Sequence, residues 1–403
     1  MQTDSNAAAA SGERIAVVDV LRAFALFGII VTHAAAGYLA GRPPEPDFMT
    51  FSLIDELFSR LDSLFVFGKF FTIFSFLFGW SFALQMRGSF RGRFVWRLAV
   101  LALIGLAHGL FFTGDILIIY AALGFLLIPF HKLGTRTLVV LALPLVFDIP
   151  GLLFGAFQPG APSIEALTLA MDSARHQFEV KQLGDFGELF AITYGDGFRD
   201  KVMFQLLTGR LWITFGLLLL GVAAGRARIF EETDESRMLF AKLLIGAGVV
   251  ALVTTMIIFL NSAAFAPPEL PRTLGAFLIV AQQAALSAFY VAAATLLCWR
   301  DPVHGLLAKL APVGKMGLTV YLTQTLFGLG LFYGVGLGML GKMGVAAAIG
   351  WGVAFYIMQI ILARAWMRHF VMGPVEWLWR SITQFKLQPM RRDAEARIAM
   401  QTA

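Results

Sequence analysis

A small set of ionisable residues falls inside long apolar runs of this chain, where a charged side chain costs several kcal/mol unless it is paired or hydrated. Asp19, Arg22 and His33 share the first run. Asp19 and Arg22, three apart, lie close enough on a helix to pair. His33 follows Arg22 by eleven residues, about 1100° of helical rotation, so the two share one stripe within about 20° and stand about 16 Å apart along the axis. Such a stripe suits a path through a membrane with an anchor at one end and a reactive imidazole further along. It equally suits an interfacial salt bridge and a histidine hydrogen-bonded to a neighbouring helix. By depth, Lys69, His108 and Asp115 could share one outer chamber with His33. An imidazole beside a carboxylate is what a general base needs, and an ammonium could stabilise a tetrahedral oxyanion. Asp115, following Gly114, could instead cap the next helix. Arg87, Arg91, Arg93 and Arg97 place four guanidinium groups within eleven residues; such a cluster clamps phosphates, or sets orientation and holds anionic lipid.

The elements that must position these residues follow from composition. Hydrophobic residues make up 58% of the 403 and charged residues 14%, with mean hydropathy +0.75, against roughly 45–50% apolar and about 25% charged in soluble domains. A soluble globule, a disordered chain and a disulfide-stapled scaffold are excluded, since 39 Phe, 8 Trp and one Cys fit none of them. No spacing of His, Cys or carboxylates suits a metal, and no phosphate-loop, dinucleotide or nucleophile-elbow motif sits in a strand–turn–helix setting. The expected fold is all-α, a polytopic transmembrane helix bundle of about ten spans. They are read at 15–39, 64–86, 94–112, 116–130, 137–157, 204–225, 239–260, 274–299, 317–340 and 343–365. Pro144, Asp148 and Pro150 mark the fifth as broken or re-entrant.

With the N-terminus inside, the inner loops hold the arginine cluster, the 226–242 stretch, Lys309, Lys315 and the basic tail, while the outer set is sparse, with Arg42, Arg60, Arg272 and Lys342. The positive-inside rule then places both termini in the cytoplasm. The net charge of +6 becomes an orientation signal, and nucleic-acid binding is not supported. The first run is too long for a signal peptide and carries Arg22. The chain divides into a disordered N-terminus (1–13), a first helix group with the candidate site (14–157), an outer loop packing as short helices (158–203), a second helix group (204–366), and an interfacial helix with a basic tail (367–403). Gly330, Gly334 and Gly338 recur every four residues, a stripe that permits close helix approach. Trp377 and Trp379 beside Glu376 and Arg380 indicate an anchoring helix at the inner interface.

Six blocks, VVDVLRAFALFGIIV (17–31), FSFLFG (74–79), RLAVLALIGLAHG (97–109), GDILIIY (114–120), GKMGLTVYLTQT (314–325) and GPVEWLWR (373–380), resemble the YeiB-like family, also called domain of unknown function 418. The resemblance implies kinship with integral-membrane acyltransferases. One branch of that superfamily carries an Arg, ten residues and a His in its first span, the spacing of Arg22 and His33. It implies a cytoplasmic acyl-CoA donor, an acceptor reached from the outer side, and histidine-dependent transfer in a bacterial inner membrane. On that reading Arg22, Arg91, Arg93 and Arg97 hold the donor's phosphates, and His33 or His108 is the base. Asp115 orients the imidazole, Lys69 faces the oxyanion, and no metal takes part. The partners are membrane lipid, acyl-CoA and an envelope acceptor, with a homo-oligomer left open. A transporter using the same Asp, Lys and His as a relay, and a structural membrane protein, are the competing readings.

Overall fold

The computed structural model describes residues 2–39, 48–88, 91–157, 164–262, 272–301 and 303–392, with side chains for all of these except 2–15, 87, 88, 91, 155–157, 164–167, 169, 170, 196, 262 and 272. Regular structure among them is helical, apart from one isolated bridge between Phe370 and Arg391. The first group comprises α1 (Gln2–Ala35), α2 (Leu53–Leu61), α3 (Phe70–Gly88), α4 (Arg91–Gly109), α5 (Leu117–Leu127), α6 (Thr135–Val146) and α7 (Ile149–Phe157). A connecting layer holds α8 (Ile164–Leu183), α9 (Phe186–Tyr194) and α10 (Asp196–Leu207). The second group comprises α11 (Arg210–Ala227), α12 (Asp234–Ser262), α13 (Arg272–Cys298), α14 (Val303–Leu307), α15 (Ala311–Lys315), α16 (Gly317–Phe332), α17 (Val345–His369) and α18 (Pro374–Thr383).

Each of the ten expected apolar segments contains helix, because a backbone in hydrocarbon must satisfy its polar groups internally. Seven helical stretches are long and apolar enough to cross a membrane, with α2 and α3 forming one of them. The apolar helices α5, α6 and α16 are shorter. The 11 residues of α5 rise only about 16 Å, roughly half a hydrocarbon core. The fifth segment is broken: Asp148 takes a left-handed φ of 51°, and its carboxylate accepts the Gly151 N–H at 3.2 Å to open α7. Residues 2–13, expected to be disordered, continue α1 as helix, in keeping with the propensity of the run Ala7 to Ala10. Arg42 lies outside the described residues.

The glycine stripe requires a correction. Helix α16 ends at Phe332, so Gly334 and Gly338 lie in a turn rather than on a helix face, and Gly338 takes φ 60°. The chain folds back there, with Leu337, Met339 and Leu340 N–H groups donating to the carbonyls of Gly330, Leu331 and Phe332. The small-residue helix contact occurs instead between α3 and α11. A Cβ on Gly221 would lie 2.1 Å from the Phe76 carbonyl oxygen, and one on Gly79 would lie 2.2 Å from that of Leu218, so the two backbones touch.

Helix α1 is the axle of the bundle. Leu21, Ala23, Ala25, Leu26, Ile30 and Ala34 are buried, and α3, α13, α15, α16 and α17 pack around it. Helix α12 lies at the periphery against α13; only 11% of its apolar stretch is buried, leaving Ile245, Val249 and Leu252 facing outward. That is the surface a lipid-facing helix presents.

Candidate functional site

A cavity of about 510 Å³ runs beside α1 from Arg22 to His33, within the size range of small-molecule sites. Helices α3, α4, α5, α10, α11, α15, α16 and α18 contribute to its walls. Its middle is a belt of Phe70, Phe71, Phe74, Phe78, Tyr120 and Tyr321, and its polar groups gather at the two ends.

At the first end Arg22 pairs with Asp19 (Nη1 to Oδ1, 2.8 Å) and donates to the Ser81 hydroxyl at 2.6 Å. Arg97 lies over the Trp379 ring at 4.7 Å, and the Trp379 indole N–H donates to the Arg97 carbonyl at 3.1 Å. The Arg97 Nε has no hydrogen-bond partner among the described residues, and exposed Lys315 also lines the cavity. Glu376 caps α16, accepting the Leu318 and Thr319 N–H groups at 2.6 and 3.0 Å and the Thr319 hydroxyl at 2.5 Å. Burial raises its carboxyl above the usual range, and those hydrogen bonds oppose the rise.

At the other end His33 borders the cavity with its ring against Tyr38 (5.4 Å) and Phe112 (5.2 Å). Neither of its nitrogens has a hydrogen-bond partner among the described residues. His108 is held at both: Nδ1 lies 2.7 Å from Asp115 Oδ1 and Nε2 lies 2.8 Å from Thr325 Oγ1. With the carboxylate ionised, Nδ1 carries the proton and Nε2 accepts from the threonine hydroxyl. Asp115 also accepts the Leu117 and Ile118 N–H groups at 3.2 Å each, and its Oδ2 faces Lys201 Nζ at 3.7 Å. It therefore caps α5 and partners His108 at once.

Helices α8 and α10 close this end. Burial pushes the Lys201 ammonium below its usual range, with Asp115 opposing. Lys181 donates to the Thr113 hydroxyl at 3.3 Å, and burial pushes it down to about 8 against the pull of Asp200. Asp200 accepts from Ser173 at 3.0 Å and Gln177 at 2.7 Å. Arg210 opens α11 at the wall of the cavity.

A family model described as protein of unknown function (DUF418) matches residues 224–386. YxaH of Bacillus subtilis (strain 168) is 32% identical over 95% of this chain and 97% of its own length. YeiB of Escherichia coli (strain K12) is 30% identical over 92% of this chain and 96% of its own. The chain belongs to the DUF418 family. A 39.9 kDa protein in the amylase 3′ region of Bacillus acidopullulyticus is 27% identical over 95% of this chain and 98% of its own.

In this DUF418 chain the structure brings Arg22, Arg97, His33 and Asp115 to one cavity and sets His108 directly behind Asp115. It does not bring Lys69 there: that side chain is buried, with its ammonium donating to the Ser63 carbonyl at 2.8 Å. Arg93 is exposed and does not border the cavity, and the side chain of Arg91 lies outside the described residues. Sequence reasoning missed Lys201, Arg210 and Lys315. Arg210 lies inside the apolar run 204–225, so the rule that flagged His33 applied to it as well. Lys201 carried no such mark, being one charge among many in a polar loop.

Proposed function

We propose that this DUF418 protein is an integral-membrane acyltransferase that moves an acyl group from acyl-CoA to a hydroxyl or amine of an envelope or lipid-borne acceptor. The observation that carries the reading is the single cavity joining Arg22, Arg97 and Lys315 through an aromatic belt to the unpartnered imidazole of His33. Eleven residues of α1 separate Arg22 from His33, about 16 Å of rise, which lets a donor anchored by its phosphates extend a long thioester arm to the imidazole. In this reading the bundle has ten spans, with the short helices completing the set in a bacterial inner membrane. Both termini and the Arg22 end face the cytoplasm, where the basic residues concentrate.

His33 takes the proton of the acceptor hydroxyl as its oxygen attacks the thioester carbonyl. The C–O bond forms, the C–S bond breaks, and the imidazolium returns the proton to the departing CoA thiolate. Lys201, in the place expected of Lys69, stabilises the developing oxyanion. His108 has no free nitrogen for base chemistry and acts by positioning Asp115, which in turn holds Lys201.

The test uses purified protein in nanodiscs with labelled acetyl-CoA and long-chain acyl-CoA, following CoA release and label transfer to added lipid. His33→Ala is expected to lower turnover about 100-fold or more, the size of a lost general base, with an unchanged helical circular dichroism spectrum. Equal turnover in wild type and His33→Ala overturns the mechanism. The broken α6–α7 helix is the kind of feature used by transporters, but neither Pro144 nor Asp148 lines the cavity, and this favours the enzyme. Substrate uptake into vesicles without any CoA requirement would reverse that preference.

A further inference from the structure

Among the described residues, Arg210 is a cation without a counter-ion. Its guanidinium carbon lies over three rings, Phe71 at 4.6 Å and Phe67 and Phe204 at 5.1 Å each. Its side chain borders the cavity at the His33 end, yet none of its five N–H donors meets a protein acceptor, and no carboxylate lies within ion-pair distance among the described residues. The two carboxylates that line the cavity at this end are already engaged: Asp115 by His108, Lys201 and two backbone N–H groups, and Asp200 by Ser173 and Gln177. Aromatic faces attract a desolvated guanidinium, but they leave its hydrogen-bonding plane unused, and that plane matches the two oxygens of a phosphate.

We infer that Arg210 is the receptor for a phosphate group on the ligand that occupies the His33 end of the cavity. The inference rests on the acyltransferase reading only in calling that ligand the acceptor; the anion site itself follows from the unpaired guanidinium. Phe67 and Phe204 are themselves substantially exposed, next to exposed Phe65 and Leu207. The cage therefore opens onto an apolar surface, and a phospholipid headgroup is the source of phosphate that this surface fits.

The experiment measures binding of phosphatidylglycerol, phosphatidylcholine and glycerol 3-phosphate to the full-length protein in detergent, by native mass spectrometry and ligand-induced thermal shift. Phosphatidylglycerol is expected to bind wild type, and Arg210→Gln to weaken it about tenfold or more, the effect of losing a bidentate charge-assisted contact. Arg210→Lys, which keeps the charge and loses the fork, should fall between and serves if Arg210→Gln does not fold. Arg210-dependent binding of glycerol 3-phosphate alone assigns the site to a soluble phosphate and supports the anion receptor without the lipid. Equal phosphatidylglycerol binding by wild type and both variants overturns the proposal. The binding assay contains no acyl-CoA, so loss of acyl transfer and loss of anion binding report separately. If acyl transfer fails while Arg210-dependent binding persists, only the enzyme reading falls.

Discussion

Replacing Lys181 by methionine should stabilise the protein at neutral pH and cease to do so at alkaline pH. Lys181 is 1% exposed, and burial lowers its ammonium from an ordinary 10.5 to about 8. That gap corresponds to roughly 3 kcal/mol at about 1.4 kcal/mol per pH unit. Because the unfolded chain holds this proton more tightly than the folded one, stability rises with pH from about 8 to about 10.5, and the penalty is nearly full at pH 7. Methionine keeps the length and apolar stem, removes the penalty, and loses the hydrogen bond to Thr113, worth about 1 kcal/mol. The variant should thus be about 2 kcal/mol more stable at pH 7, and the two proteins should cross near pH 10. Lys201, whose ammonium is also depressed, is common to both proteins and cancels in the difference. Equilibrium unfolding in mixed micelles, followed by circular dichroism across that range, gives the difference directly. A gap that stays constant with pH, or a methionine variant that is the less stable at neutrality, refutes the linkage.

Gly221→Ala should cost about 1–3 kcal/mol through overpacking, because the new methyl meets the Phe76 carbonyl. Gly246→Ala, with nothing within 4 Å in α12, should leave stability unchanged or raise it by up to about 1 kcal/mol; thermal midpoints of the pair compare the two. Glu376→Ala should cost about 1–3 kcal/mol by uncapping α16, with Glu376→Gln losing less because one acceptor oxygen remains. His108→Ala should lower acyl transfer about 10- to 100-fold, the rate equivalent of a lost hydrogen bond to a charged group. The donor's KM should not move, whereas Arg97→Gln should raise that KM and leave turnover largely intact.

The helical class and the location of nearly every apolar element were legible because hydrophobic runs of membrane length carry their own signal. So was the stripe from Arg22 to His33, since eleven residues return a helix to the same face. Element ends were less legible. The run 317–340 reads as one span, yet Gly338 and Gly341 take left-handed backbone, and apolar composition continues through that turn without marking it. Depth also misled for Lys69, because depth says nothing of rotation about the helix axis: the chain turns at Gly68 (φ 83°), and the next side chain points to the Ser63 carbonyl. Lys201 enters the cavity wall from α10, an element whose position over the bundle is set by tertiary packing alone.

The contrast between His33 and His108 separates two uses of one residue type that spacing could not separate. Both lie in apolar helices at similar depth, and His108 has the carboxylate neighbour that general-base chemistry asks for. That neighbour is also why His108 is unavailable: with Nδ1 on Asp115 and Nε2 on Thr325, an acceptor hydroxyl could reach it only by displacing a buried hydrogen bond. His33 has no such partner among the described residues and faces the cavity, so its orientation rests on the Tyr38 and Phe112 rings. Asp115 serves both sides of this division, since the carboxylate that fixes His108 also caps α5 and faces Lys201. Asp115→Ala therefore removes a helix cap, a histidine partner and a counter-ion together, whereas His108→Ala leaves the two N–H bonds of the cap in place. Comparing their pH profiles of turnover is the way to separate the positioning contribution from the fold.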